Sequence, residues 1–184
     1  MFAHRMQCNV DKERFVQSDK SEAIASEEFK AVMRRFAASV NVITSADGRT
    51  LNGMTATAVC SVTTEPPSVL VIVNRTNRSH AIIRRSNAFA VNVLSAVQRD
   101  IAQHFASRPS DPFGSVDYFI GKTGCPIIKG ADAFLECIVM QETEVGSHSI
   151  FVGKVVASQT FNERPLLYHA GKYHHLGDAQ NSVT

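Results

Sequence analysis

Several absences in this 184-residue sequence narrow its function before what is present is considered. No apolar run approaches membrane-spanning length. The opening M-F-A-H-R-M-Q-C-N-V has no continuous apolar segment of the kind a secretion signal needs. There is little excess charge: a net +2 gives no reason to expect a nucleic-acid or membrane partner. The cluster Arg75, Arg78, Arg84 and Arg85 comes without a recognition motif or stacking aromatics, so nucleic acid is not implied there either. The cysteines Cys8, Cys60, Cys125 and Cys137 form no C-x-x-C pair and no zinc spacing, and they read as reduced thiols. His169, His174 and His175 make no ligand set, because His174 and His175 would face opposite sides of a strand, and no metal is expected. Finally, no G-x-G-x-x-G and no G-x-x-x-x-G-K-[ST] occurs, so nucleotide binding of the Rossmann or P-loop kind is excluded. A cytoplasmic protein is expected.

What is present is concentrated between Gly53 and His80. This run reads as two strands and a helix start: a Thr-, Val- and Ala-rich half, a Pro66-Pro67 pair that should interrupt the ladder, and the apolar strand Ser68 to Val73. From Asn74 to Ser79, amides, hydroxyls and guanidinium groups then gather at the start of a helix, a place that suits a phosphate. Gly53, Ala56 and Ala58 would let a flat ring approach the backbone, and Thr55, Thr57 and Ser61 supply hydroxyls. By composition alone the same residues read more simply as good strand formers followed by a solvated helix face. Cys60 reads as a small buried hydrophobe.

In order, residues 1–25 are expected to be an arm that is disordered or lies across a partner subunit, 26–178 one domain, and 179–184 a tail. Ser26 with Glu27 and Glu28 opens a helix carrying Phe29, Val32, Met33, Phe36 and Val40 at helical spacing. Val40 to Ser45 is a strand, and Ala46-Asp47-Gly48-Arg49 is a hairpin turn. A short helix holding Ile82 and Ile83 ends near Asn87; a buried strand, Ala88 to Ser95, follows. Val97, Ile101, His104 and Phe105 mark another helix, ended by Arg108-Pro109. From Ser107 to Asp132 glycines and prolines predict loop. Phe134 to Gln141 and Ser149 to Thr160 are long strands, and Pro165 to Leu176 is a last strand and turn. Many strands, few helices and no βαβ alternation predict an antiparallel barrel.

The segment T-A-T-A-V-C-S-V-T-T-E-P-P-S-V-L-V-I-V-N, with A-S-V-N-V-I-T-S before it and F-A-V-N-V-L-S after it, resembles the short-chain NAD(P)H:flavin oxidoreductases. This family includes reductase components of two-component monooxygenases and the flavin reductase of pyrimidine degradation. The resemblance runs from about Glu28 to Leu176. It implies a mainly β fold with peripheral α-helices, an FMN-binding split β-barrel. It also implies hydride transfer from NADH or NADPH to FMN or FAD, a homodimer, and a monooxygenase partner supplied by diffusible reduced flavin. A reductase passing electrons to a corrinoid, or a non-catalytic flavin- or haem-binding module, are the alternatives.

Carried over position by position, the family's flavin site falls on Gly53, Met54, Thr55, Thr57 and Ala58, with Cys60 and Ser61 near the ring edge. Val73 and Asn74 lie at a strand end, Arg78 and Ser79 on the phosphate, and Phe105 at the side of the cleft. Tyr173 matches an aromatic that can lie by the cleft. His148, in Gly146-Ser147-His148, takes the place of a histidine facing the nicotinamide; many members have Gly-Asp-His there, so Ser147 departs from the pattern.

Overall fold

The computed structural model describes residues 22–48 and 50–177. The expected arm lies outside them up to residue 21, and the expected tail lies outside them entirely. Two compact units are distinguished, one ending at Met33 and one beginning at Arg34.

In the first unit, α1 (Ser26–Met33) has Glu27 and Glu28 in its first turn, where carboxylates complement the exposed amides. Lys30 Nζ lies 2.7 Å from Glu27 Oε1. The helix stops short of the predicted stripe. In the second unit Val40 is buried instead between two strands, its N–H donating to the Leu166 carbonyl (2.8 Å) and its carbonyl accepting from Leu94 N (3.0 Å). Long-range strand pairing overrides the local helical period there.

The second unit runs β1 (Ala38–Ser39), β2 (Asn41–Ala46), β3 (Leu51–Ala56), β4 (Val59–Thr64), β5 (Pro67–Asn74), α2 (Arg78–Ser86), β6 (Ala88–Val93) and α3 (Arg99–Ala106). It continues with β7 (Tyr118–Ile120), β8 (Pro126–Ile128), β9 (Ala133–Val145), β10 (His148–Thr160), β11 (Leu166–His169) and β12 (Lys172–His175). Seven strands form one antiparallel sheet in the order β3-β2-β6-β9-β10-β5-β4, whose hydrogen-bond ladder does not close. Strands β1-β11-β12 and β7-β8 form smaller sheets.

The run from Gly53 thus holds three strands rather than two. Glu65-Pro66 forms the tip of a tight β4-β5 hairpin, and Pro67 is already paired with Thr64. A proline at a strand's first residue costs the ladder little, so the pair ends no sheet. The β2-β3 turn is as expected: Asp47 Oδ1 accepts from Thr50 N (2.9 Å), and Gly48 takes a left-handed φ of 80°. The stretch predicted as loop contains the β7-β8 hairpin, whose three-residue strands are too short to show a period.

Strand β2, Asn-Val-Ile-Thr-Ser-Ala, is buried along its whole length, which accounts for its lack of polar alternation. Val42 belongs to a cluster with Leu94, Ala102, Phe105 and Phe113. Ile43 belongs to another with Val71, Val73, Ile83, Phe89 and Phe151. The buried amide of Asn92 donates to the Val42 carbonyl and to Thr44 Oγ1 (both 3.1 Å), and its oxygen accepts from Ile128 N (2.8 Å). Thr44 Oγ1 in turn donates to the Pro126 carbonyl at 2.6 Å, so β8 is tied to the main sheet through satisfied polar groups. Burial raises the Cys125 thiol pKa and pushes that of Cys137 up to about 12.

Candidate active site

Two asparagines shape the turn between β5 and α2. Asn74 Oδ1 accepts from the N–H and the hydroxyl of Thr76 (2.9 and 2.8 Å), and Asn77 Oδ1 caps α2 by accepting from Ser79 N at 2.9 Å. Beside this turn runs β3. Its Thr55 Oγ1 donates to the Ala102 carbonyl in the middle of α3 at 2.6 Å, which holds that helix against the strand. A Cβ on Gly53 would lie 2.5 Å from Phe105 Cε1. The missing side chain at Gly53 therefore makes room for Phe105, not for a ligand ring.

Strand β3, the β5-α2 turn and the end of α3 enclose two adjoining hollows that share Asn77 and Arg108. The larger, of about 340 Å³, is lined by Met54, Thr55, Thr57, Ala58, Asn74, Phe105 and His148, all named from sequence. The smaller, about 230 Å³, takes Gly53 and Arg78. His148 opens β10 opposite Asn74 in register, with Ser147 Oγ 3.0 Å from its Nδ1.

Five residues named from sequence do not line either hollow. Val73 points into the core. Ser79 is fully buried: its amide serves the Asn77 cap, and its hydroxyl accepts from Asn52 Nδ2 at 2.8 Å. Cys60 and Ser61 are exposed on the edge strand β4, so Cys60 is not the buried hydrophobe its composition suggested. Tyr173 packs on Tyr168, with the Arg99 guanidinium 5.6 Å from its ring centre.

The hollows also use Thr76 and Asn77, which lie within the Asn74 to Ser79 run singled out from sequence, and Asn52, Arg108 and Pro109, to which sequence reasoning gave no part in the site. Asn77 carried a legible signal, a capping residue before a helix. Arg108 did not, because nothing local ties it to a strand fifty residues earlier.

The arginines divide clearly. Arg75 pairs with Glu144 (2.6 Å), Arg84 with Glu142 (3.1 Å) and Arg85 with Asp47 (2.7 Å). Arg78 and Arg108 make no ion pair with any described residue, and both line the smaller hollow. Beneath α2, His80 Nε2 lies 2.8 Å from Ser149 Oγ and 3.2 Å from Glu142 Oε1, a mostly buried group that fastens the helix to β9 and β10.

Residues 33–177 match the family described as Flavin reductase like domain. Among curated relatives, the chain is 34% identical to the FMN reductase (NADH) RutF of Stutzerimonas stutzeri, over 86% of this chain and 92% of that one. It is 33% identical to the 4-hydroxyphenylacetate 3-monooxygenase reductase component of Pseudomonas aeruginosa, over 80% and 90%. Among solved structures, the NADH:FAD oxidoreductase SgcE6 of Streptomyces globisporus, in complex with NAD and FAD fragments, superposes with a TM-score of 0.81 at 32% identity, covering 88% of this chain and 100% of that one. With a mainly β split-barrel architecture and a match over most of its length, the chain belongs to the flavin reductase-like family.

Proposed function

We propose that the chain catalyses hydride transfer from NADH or NADPH to FMN or FAD. The observation that carries this reading is the cleft itself. It is a hollow of about 340 Å³ with small residues and hydroxyls along β3 and Phe105 at one side, adjoining a second hollow that presents two guanidinium groups with no carboxylate partner among the described residues. Such a cleft fits a planar ring joined to an anionic tail, and its donor set fits a flavin nucleotide. Met54, Thr57, Ala58 and Phe105 would hold the ring, and Asn77 and Arg78 the polar end.

The bound flavin supplies the hydride-accepting chemistry. The chain's own work is positional: to keep two rings at reacting distance and to narrow the space open to water. His148 stands at the rim of the ring hollow with Ser147 steadying its Nδ1 side, and it acts as a positioning residue for the nicotinamide. The named relatives, an FMN reductase (NADH) and a monooxygenase reductase component, favour NADH as donor and a monooxygenase as the consumer of reduced flavin. A cytoplasmic homodimer completes the reading; no helix among the described residues is long and apolar enough to cross a membrane.

The test is anaerobic stopped-flow with the full chain, mixing each nicotinamide with each flavin and following loss of the oxidised flavin band. Turnover with at least one pair is expected. Flavin that binds and is not reduced by either nicotinamide would make the chain a binding module and overturn the enzyme reading.

A further inference from the structure

We propose that Arg108 is a second phosphate-holding residue, acting with Arg78 on the anionic tail of the flavin nucleotide. This rests on the flavin reading of the cleft and adds a residue and a division of labour to it. At the start of α2 the Ser79 amide is already bound by Asn77 Oδ1, and the Ser79 hydroxyl is fully buried and accepts from Asn52 Nδ2. The three neighbouring arginines that follow or precede it, Arg75, Arg84 and Arg85, are held by Glu144, Glu142 and Asp47.

Arg78 and Arg108 are different. Each lacks a carboxylate among the described residues, and each lines the smaller hollow; Arg108 alone of the two also lines the ring hollow. Two unneutralised guanidinium groups in one concave site repel each other unless an anion lies between them, and a phosphate offers the oxygens for forked hydrogen bonds. Arg108 is also held in an unfavourable backbone state, with a φ of 56° directly after the C-cap of α3. A left-handed residue directly after the cap is a common way to end a helix, though a disfavoured one for a side chain with a Cβ, and here it sets Arg108 at the junction of the two hollows. Its place at the junction of the hollows is where a chain leading from ring to phosphate must pass.

The strain supplies a clean variant. Arg108→Gly removes the guanidinium and suits the left-handed backbone, so the fold should be retained; Arg108→Asn, which also tolerates that region, serves as the second variant. Dissociation constants for FMN and for riboflavin, which lacks the phosphate, are read by flavin fluorescence quenching with the full chain. Both variants should weaken FMN binding about tenfold to a hundredfold, the loss of one charge-assisted contact, while riboflavin affinity stays within about twofold. Added salt should narrow the FMN-to-riboflavin preference of the wild type more than that of the variants. Unchanged FMN affinity in both variants, or a parallel loss for both ligands, overturns the assignment and leaves the flavin reading standing. A wild-type chain that takes up neither flavin overturns the flavin reading and the assignment together.

Discussion

At the scale of single residues, the structure separates side chains that face the cleft from those that support it. His148 is exposed at the rim and makes no contact that the fold depends on beyond its strand pairing. His148→Ala should therefore slow flavin reduction in single turnover by about a hundredfold, the size of effect that small misplacement can have, while the FMN dissociation constant changes little. A wild-type reduction rate at all nicotinamide concentrations would remove His148 from the site. The thiols make a second case. Cys137 is fully buried, and its pKa rises from 9.0 to about 12, desolvation being the largest cause, followed by the nearby Cys125 and Glu136. The folded state thus holds the proton more tightly than the unfolded chain. The sign follows: this contribution is intact below the ordinary thiol pKa near pH 9 and is lost as pH climbs toward 12. Guanidinium melts should show stability falling from pH 9 to 11, and falling less steeply in Cys137→Ala, which starts from a lower value. Parallel curves would show that other groups drive the alkaline loss.

At the scale of elements, β10 carries a constraint that composition conceals. A Cβ on Gly153 would lie 2.6 Å from Phe89 Cζ and 2.8 Å from Cys137 Cβ, so the sheet and its core meet there without room for a methyl group. Gly153→Ala should destabilise the chain by about 1–3 kcal/mol, read as a shift in denaturation midpoint at unchanged slope. Elements of this kind also mark what the sequence could and could not disclose. Helix α2 was legible at both ends, where Asn77 caps the start and Asn87 takes a left-handed φ of 57° at the finish. The long strands β9 and β10 were legible as apolar runs, although each extends to the Gly146-Ser147 turn. Strands β7 and β8 were not, since each is only three residues long and β8 is anchored to the main sheet by Asn92 and Thr44, far away in the chain. The cleft divides in the same way. Its β3 side followed from a local motif, whereas Asn52 and Arg108 acquire their role only when the β2-β3 hairpin and the end of α3 are brought together.

At the scale of the whole molecule, the question is what covers the outer apolar side chains. Val62, Ile138, Met140 and Val156 are exposed on β4, β9 and β10, interior strands of the sheet or its β4 edge. Large apolar residues exposed on a sheet favour pairing with another copy of the chain. A twofold dimer should appear by light scattering at micromolar concentration, and replacing Ile138 and Met140 together by charged residues should shift it to monomer. A wild type that scatters as a monomer throughout would refute this assembly.

The junction of α3 with the loop that follows has a further consequence. The loop is fastened at both ends: Ser107 N–H closes the helix onto Gln103 and His104, and five residues later the Pro112 carbonyl lies 2.9 Å from His104 Nε2, with Phe113 packed on Phe105. Arg108 and Pro109 therefore belong to a short bow strung across one helix end, not to a flap. Thr55 pins the same helix to the opposite wall of the cleft. These ties hold the walls of the cleft together before a ligand arrives, which lowers the chain entropy that association must remove. Selectivity between ligands then leans on fit to that standing shape.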